Sequence, residues 1–257
     1  MQTAKQKLKR AAPWLFLLLV LAGLAAVRGL AANYEIGYEI MNGDFQNYNP
    51  VRHLLAGQVP YRDFTVYLGA GELYSVGGLL LVLGNSFGRS MFATNFCTWF
   101  YFELLVLAVC LVVIGTARAA RAAALALCSV FFAYVQGANL PFAGQVNTLL
   151  SYAAANGNSA RMMRSAALTL AVLVILLGLH FWQQDTSRRL LAPAVLVPFA
   201  AGFFVPWSND MGGAAYISIA LGYGLYLIRL YRSSIGKIVV QTLRYIVTSV
   251  VAVSYTH

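Results

Sequence analysis

The sequence predicts an all-α membrane protein, a bundle of about eight to nine transmembrane helices. Hydrophobic residues make up 60% of the 257 residues and charged residues only 10%, whereas charged residues form about a quarter of a soluble domain. The apolar residues are gathered into long runs, and short basic clusters separate several of these runs. We therefore expect one transmembrane module over residues 1–252, with a first external loop at 33–66 that carries short juxtamembrane helices.

The net charge of +10 indicates membrane topology and contact with lipid headgroups. The cations lie in clusters between apolar runs and form no basic stripe with interleaved aromatic residues. We therefore expect membrane lipids, and no nucleic acid, among the partners.

The first run, residues 13–32, follows a cluster of four cations, and about twenty apolar residues suffice to cross roughly 30 Å of hydrocarbon. Since basic residues stay on the cytoplasmic side, the N-terminus is expected in the cytoplasm. A cleaved signal peptide is the alternative, because small residues at 29–32 suit a signal peptidase. The cations are Lys5, Lys7, Lys9 and Arg10.

The loop 33–66 then lies outside the cytoplasm. Within it, Asn49 as N-cap, Pro50 at the first helical position and Gly57 as the stop predict a short helix over 51–56. Residues 58–64 form a turn fixed by Pro60, and the ring of Tyr61 is of the kind that anchors at a membrane interface.

Eight further apolar runs follow. If every run crosses the membrane, the basic pairs near 118–121 and 161–164 fall outside; if those pairs stay inside, two runs are miscounted or re-entrant. Both schemes put the loops 33–66 and 206–212 on the same, non-cytoplasmic side. The runs are 67–83, 91–115, 122–134, 140–155, 165–181, 190–205, 213–230 and 238–252.

Three cysteines, Cys97, Cys110 and Cys128, fall inside apolar runs, where a small buried hydrophobe is the usual role. The final residues, 253–257, resemble a translated sequencing adapter and are left out of the fold. We expect the chain to be the N-terminal part of a longer protein.

Glycine-rich phosphate motifs, zinc-protease motifs and paired cysteines are absent from the sequence. What remains is an external loop of carboxylates and cations at the membrane surface. A carboxylate there can act as a general base toward a hydroxyl, and an arginine at headgroup depth suits a lipid-linked phosphate.

This loop resembles the first external loop of the GT-C superfamily of membrane glycosyltransferases. The resemblance rests on Gly43-Asp44, on Tyr48, on the helix end at residues 54–57, and on the segment 60–64, PYRDF. GT-C enzymes, among them protein mannosyltransferases and aminoarabinose transferases, use polyprenyl-phosphate-linked sugars. The resemblance covers roughly the first 120 residues.

The resemblance implies an enzyme in a bacterial inner membrane that transfers a sugar with inversion. The acceptor, a glycan, lipid or protein, lies outside the cytoplasm. By position, Asp44 matches the catalytic aspartate of this loop. Many members carry a second carboxylate directly after it, where this chain has Phe45, which puts a paired-acid or metal-assisted version in doubt. No metal ligands are assigned, although a divalent metal stays open.

Arg62, Arg52 and His53 are the candidates for contact with the donor phosphate. Four further residues are candidates for the acceptor or for a second-loop part of the site: Asp63, Glu72, Asp210 and Tyr48.

Each of these residues also has a purely structural interpretation. Asp44 and Asp210 could cap helices, Arg62 and Asp63 could pair with each other, and Arg52 with His53 could extend to lipid headgroups. Glu72 and Glu103 lie in apolar runs, where a carboxylate needs a partner or a wet cavity; for Glu103 the sequence offers Arg28 or Arg89.

Two other functions compete with the enzyme. A transporter or flippase for a lipid-linked or anionic solute predicts two similar halves with charges near the membrane midplane. A non-catalytic scaffold for an envelope-polysaccharide complex is the third possibility.

Overall fold

A computed structural model of the protein describes residues 4–34, 42–135, 161–184 and 191–254. Within these ranges the chain is helical and holds no β-strand, which confirms the all-α prediction. The helices are α1 (Ala4–Tyr34), α2 (Asn42–Leu55), α3 (Ala70–Leu83), α4 (Phe87–Ile114), α5 (Ala117–Val135), α6 (Arg161–Gln184), α7 (Leu191–Trp207), α8 (Gly212–Leu230) and α9 (Ile235–Ser254).

In the described part of the chain, four helical segments are long and apolar enough to cross a membrane: Ala11–Leu30, Phe87–Ile114, Gly212–Leu230 and Ile235–Ser254. By length and composition they indicate a membrane protein. Shorter apolar segments are Ala70–Leu83, Arg164–Leu179 and Pro193–Trp207. The first of these, α3 with 14 residues, extends about 21 Å, less than the roughly 30 Å of hydrocarbon. The expected count of eight to nine spans is therefore not confirmed. The predicted run 140–155 lies outside the described residues, and every other predicted run coincides with a helix.

The chain divides into two compact units, and the first consists of Met1–Tyr48 and Gly78–Met163. In this unit α4 packs against both α1 and α5. Gly29 of α1 lies so close to Phe92 of α4 that a side chain at position 29 would collide with it. Small and branched apolar side chains form the core: Leu17, Leu21, Leu107, Cys110, Ala120, Ala124 and Cys128. All three cysteines are buried thiols within the described helices, which confirms their predicted role as small hydrophobes.

A buried carboxylate, Glu103, lies in the middle of α4, and its Oε2 has no hydrogen-bond partner. Of its two predicted partners, Arg89 is fourteen residues away on the same helix, which at 1.5 Å per residue is about 21 Å. The guanidinium of Arg28 lies over the ring of Trp99, 5.5 Å from its centroid. Trp99 is one helical turn before Glu103, so an arginine and a carboxylate occupy neighbouring turns of the α1–α4 interface.

The second unit consists of Asn49–Gly77 and Arg164–His257. Here α7 packs against α8 and α9, and Gly202 lets α7 approach the backbone of Ser249 closely. Branched aliphatic and tyrosine side chains from α6, α7, α8 and α9 form its core: Leu179, Val197, Ala201, Ile219, Tyr223, Tyr226, Leu227 and Tyr245. This core joins the four helices of the second unit.

The helix in the first external loop is longer than the sequence predicts. It begins at Asn42 instead of residue 51, so Asn49 is not its N-cap and Pro50 lies inside it. Its own polar start, Asn42-Gly43-Asp44, supplies a start signal seven residues before Asn49. The predicted end is confirmed: Gly57 has φ 84°, and its N–H donates to Leu54 O at 2.9 Å.

Candidate functional site

The segment after α2 is a tight turn, as predicted for residues 58–64. Backbone bonds run from Asp63 N to Val59 O and from Tyr61 N to Phe64 O, both at 2.9 Å. The Asp63 carboxylate closes the turn by accepting from Val59 N at 2.7 Å. Tyr61 has φ 65°, a left-handed conformation that is uncommon for a tyrosine. These bonds hold Tyr61 in that conformation and fix the direction of its ring.

Arg62 and Asp63 form a two-pronged ion pair at the surface of this turn. Arg62 Nε donates to Asp63 Oδ1 at 2.9 Å, and Arg62 Nη2 donates to Asp63 Oδ2 at 2.8 Å. The hydrogen bonds from Arg62, together with that from Val59 N, lower the pKa of Asp63 to about 2. Arg62 and Asp63 therefore pair with each other, as their structural interpretation predicts. Arg62 keeps most of its side chain exposed, so its guanidinium is also accessible to an anion from solution.

The turn is joined to the end of α7 and to the short loop 208–211. The Tyr61 hydroxyl, which the sequence assigns to the membrane interface, instead donates to Pro206 O at 3.1 Å. From the other side, Asn209 Nδ2 donates to Val66 O at 3.0 Å and to Tyr67 O at 2.7 Å. These bonds hold the turn and the loop 208–211 against each other within the second unit. The assignment of the loops 33–66 and 206–212 to the same side of a membrane stays a prediction.

Arg164, in the first turns of α6, is the central cation of the second unit. Its side chain is only 4% exposed, and Nη1 donates to Asp210 Oδ1 at 2.8 Å and approaches Leu68 O at 3.5 Å. One guanidinium therefore ties α6 to the loop 208–211 and to the residues that lead into α3. We call Arg164, Asp210, Leu68 and the two residues described next, Ser208 and Glu72, the Arg164 network.

Asp210 is the water-facing end of this network, with its side chain half exposed. Ser208 Oγ donates to Asp210 Oδ1 at 2.5 Å. Partial burial raises the pKa of Asp210, but the hydrogen bond from Ser208 and the charge of Arg164 outweigh this effect and hold the pKa below its ordinary value. Asp210 does not occupy the N-cap position of α8, which is Met211. It is an ionised carboxylate held by a buried arginine.

Glu72 is the buried end of the network. It lies in the first turn of α3, is 4% exposed, and neither carboxylate oxygen has a hydrogen-bond partner. The charge of Arg164 acts on it. Burial of a carboxylate without hydrogen bonds is unfavourable unless a cation compensates for it or the group takes up a proton. Arg164 therefore serves two carboxylates, one in water and one in the interior.

Two glycines allow this close packing at the start of α3. A side chain at Gly69, which has φ 106°, would collide with the backbone at Trp207 and Ser208, and a side chain at Gly71 would collide with the Trp207 indole. The glycine-rich entry to α3 thus has a packing function beside Glu72.

A cavity of about 170 Å³ lies between α6 and α8. Its lining includes Ser165 and Met211, the residues that directly follow Arg164 and Asp210 in the sequence. The rest of the lining is apolar apart from two hydroxyl side chains: Leu168, Thr169, Val172, Ala214, Ala215 and Ser218. The mainly apolar cavity is therefore next to Arg164 and Asp210 in the sequence, and its lining contains neither residue.

His53 and Arg52 lie at the end of α2 in the same unit. The His53 ring stacks on Phe64, with centroids 5.1 Å apart, and its Nδ1 is hydrogen-bonded to Gln58 Oε1. His53 is thus bound to the turn that carries Arg62. Arg52 is exposed.

Asp44 and Tyr48 belong to the first unit. Asp44 lies in α2, and its side chain is outside the described residues. The Tyr48 hydroxyl donates to Asn85 Oδ1 at 3.0 Å, and its ring packs edge-on against Phe87. The structure brings Glu72 and Asp210 together around Arg164 and brings His53 to the turn of Arg62 and Asp63. Tyr48 contacts Asn85 and Phe87.

Sequence reasoning missed Arg164, Asn209 and Ser208 as residues of this region. Arg164 was considered only as part of a basic pair that sets topology. A basic residue at the start of an apolar run is typical of topology signals, so the only available clue was the need of Glu72 for a partner. In the described part of the chain, no group of three or more His, Cys, Asp or Glu side chains is arranged to hold a metal ion.

Comparison with known proteins adds no relative: no protein-family model, no curated protein and no solved structure matches the chain.

Proposed function

We propose that the protein is an integral membrane glycosyltransferase that transfers a sugar from a polyprenyl-phosphate donor to a glycan, lipid or protein acceptor. In this proposal the chain is a GT-C-like module of eight to nine spans in the inner membrane of a bacterium. Its N-terminus is cytoplasmic, and its external loop with the juxtamembrane helix α2 faces the periplasm.

The observation that supports this proposal most is the joining of two loops into one polar surface. The turn with Arg62 and Asp63 is bound to the end of α7 through Tyr61, and Asn209 binds the segment before α3. An exposed guanidinium and the carboxylate of Asp210 therefore occupy one surface at the ends of apolar helices. A lipid-linked phosphate lies at this depth, and a guanidinium fork binds phosphate well.

The proposed reaction is a single displacement. The acceptor hydroxyl oxygen attacks the anomeric carbon while the bond from that carbon to the phosphate oxygen breaks, and the polyprenyl phosphate leaves with the electron pair. Asp44 accepts the proton of the hydroxyl as general base. Arg62, with Arg52 or His53, stabilises the charge on the departing phosphate. Arg62 is already paired with Asp63, so phosphate binding would have to share or displace that carboxylate.

Four residues are proposed for the acceptor side, and they differ in accessibility. Asp63 and Asp210 are exposed, Tyr48 is half-buried, and Glu72 is buried. Asp210 is therefore the most suitable contact for an acceptor hydroxyl, and Glu72 would act through Arg164. The cavity between α6 and α8 is a candidate for part of the donor lipid, which would enter sideways from the bilayer. Metal dependence stays open in this proposal.

The test is sugar transfer in membranes that contain the chain, supplied with a series of radiolabelled polyprenyl-phosphate sugars. Membranes from the same cells without the chain are the control. Label that moves from the lipid fraction to an acceptor only when the chain is present supports the enzyme. No transfer from any donor, at a normal level of inserted protein, would refute it.

A transporter or flippase for a lipid-linked or anionic solute is the second candidate. It is favoured by the burial of charged side chains in apolar helices, Glu72 and Arg164 in one unit and Glu103 in the other. Ionisable groups inside membrane helices often mark the path of a solute or a proton. Movement of an unmodified labelled lipid across vesicles that contain the purified chain, without sugar transfer, would favour this candidate.

A further inference from the structure

The end of the chain is basic and contains no acid. After Asp210, residues 211–257 include no aspartate or glutamate but four cations, Arg229, Arg232, Lys237 and Arg244. The first three fall within nine residues at the junction of α8 and α9, and all three are exposed. In the described part of the chain none of the three forms an ion pair. Among the described residues, no carboxylate pairs with this local cluster of positive charge.

The junction between the two helices is short and well defined. Tyr231 N donates to Leu227 O and Ser234 N donates to Tyr231 O, both at 2.8 Å, so residues 231–234 form a tight turn. The Lys237 ammonium lies 5.8 Å from the centre of the Tyr231 ring. The turn therefore holds all three cations at the same end of the helix pair.

The position of this turn sets the depth of the cations. Both helices that it joins are long and apolar enough to cross a membrane, so the turn lies at a membrane surface. The apolar residues around it are also exposed: Ile228 at 53%, Leu230 at 42% and Ile235 at 78%. Cations next to exposed aliphatic side chains match a molecule with an anionic head and an apolar tail. A soluble acidic protein or a nucleic acid would contact the cations but would leave the exposed aliphatic side chains uncovered.

We propose that the α8–α9 turn binds the phosphate of an anionic membrane lipid. Arg229, Arg232 and Lys237 contact the phosphate, and the acyl chains pack along the exposed side chains of Ile228 and Ile235. The bound lipid supplies the negative charge that this part of the sequence lacks. This site is separate from the external loops in the sequence, and it does not depend on the proposed enzyme activity.

The experiment measures lipid preference of the purified chain in nanodiscs that contain phosphatidylglycerol and phosphatidylcholine. Native mass spectrometry counts the two lipids that stay bound. Each cation near an anionic surface changes affinity by about fivefold, so removal of two cations in Arg229→Gln with Arg232→Gln should lower the preference for phosphatidylglycerol by about 25-fold. Added salt should weaken the preference of the unaltered chain.

The matched control is Lys9→Gln with Arg118→Gln, which removes two exposed cations elsewhere and should keep most of the preference. Arg229→Lys with Arg232→Lys keeps the charge and should keep the preference as well. Equal loss in both glutamine pairs, or no preference in the unaltered chain, overturns the proposal. Inorganic phosphate that abolishes the preference while sodium chloride of the same ionic strength does not would instead identify a site for free phosphate and also overturn the proposal.

Discussion

Replacement of Arg164 by glutamine tests the network at its centre. Arg164 is buried and is bonded to Asp210 at 2.8 Å, and its charge acts on the buried Glu72. Removal of one partner from a buried ion pair costs about 3–5 kcal/mol. Since the Asp210 side chain is half exposed, water can solvate part of what it loses. We therefore expect Arg164→Gln to lower the free energy of unfolding by about 2–3 kcal/mol, less than for a fully buried pair.

The assay is thermal unfolding of the purified chain in detergent, where a loss of this size corresponds to a fall in Tm of about 4–12 °C. The double variant Arg164→Gln with Glu72→Gln removes the uncompensated carboxylate as well, so it should recover about 1 kcal/mol or more. Arg118→Gln, at an exposed arginine, is the control and should change stability by less than about 0.5 kcal/mol. An unchanged Tm in Arg164→Gln, or a double variant no more stable than the single one, would refute this reasoning.

Three further predictions concern the loops and α3. Tyr61→Phe removes the hydrogen bond to Pro206 O and should reduce stability by about 0.5–1.5 kcal/mol; an unchanged melting temperature would show that only the ring matters. Because the pKa of Asp63 is lowered from 3.8 to about 2, its contribution to the turn is complete above about pH 4 and is lost as the pH falls toward 2. The protection of amides 59–64 against hydrogen exchange, relative to the intrinsic rate at each pH, should therefore stay constant down to about pH 4 and fall below it. Asp63→Asn should remove this change in protection. Gly71→Ala brings a methyl group into the Trp207 indole. It should lower the free energy of unfolding by about 1–3 kcal/mol, seen as a lower melting temperature. Gly78→Ala on the same helix meets open space and should be neutral or stabilising; equal effects of the two would contradict the packing.

The helical architecture was predictable because each membrane helix corresponds to one continuous run of apolar residues in the sequence. Runs of apolar residues mark α4, α8 and α9 directly, since each run must satisfy its backbone inside one helix. The stop at Gly57 and the turn around Pro60 were predictable for the same reason, as each depends on the conformational preference of one residue. The predicted start of α2 was wrong. Asn49-Pro50 is a local start signal, but the helix already begins at Asn42.

The candidate site was predictable only in part. The pairing of Arg62 with Asp63 follows from adjacency, but the partner of Glu72 is Arg164, on a helix far along the chain. No local pattern distinguishes an arginine that stays at a membrane surface from one that turns inward to a buried carboxylate. The contact of Tyr61 with Pro206 is of the same kind, because it depends on where two distant helix ends meet. The resemblance to GT-C enzymes supplied Asp44, for which the fold gives a helix position and no side-chain contact.

The most direct test of the proposed mechanism is sugar transfer by Asp44→Asn compared with the unaltered chain, in membranes that supply a radiolabelled donor accepted by the latter. Asparagine keeps the size of the side chain but cannot accept the proton, and loss of a general base lowers rates by about 10²–10⁴-fold. Asn47→Ala, on the same helix, is the control for local damage. The account predicts that Asp44→Asn loses transfer while it inserts at normal levels and that the control keeps it. Equal transfer by Asp44→Asn and the unaltered chain would remove Asp44 from the mechanism and contradict the account.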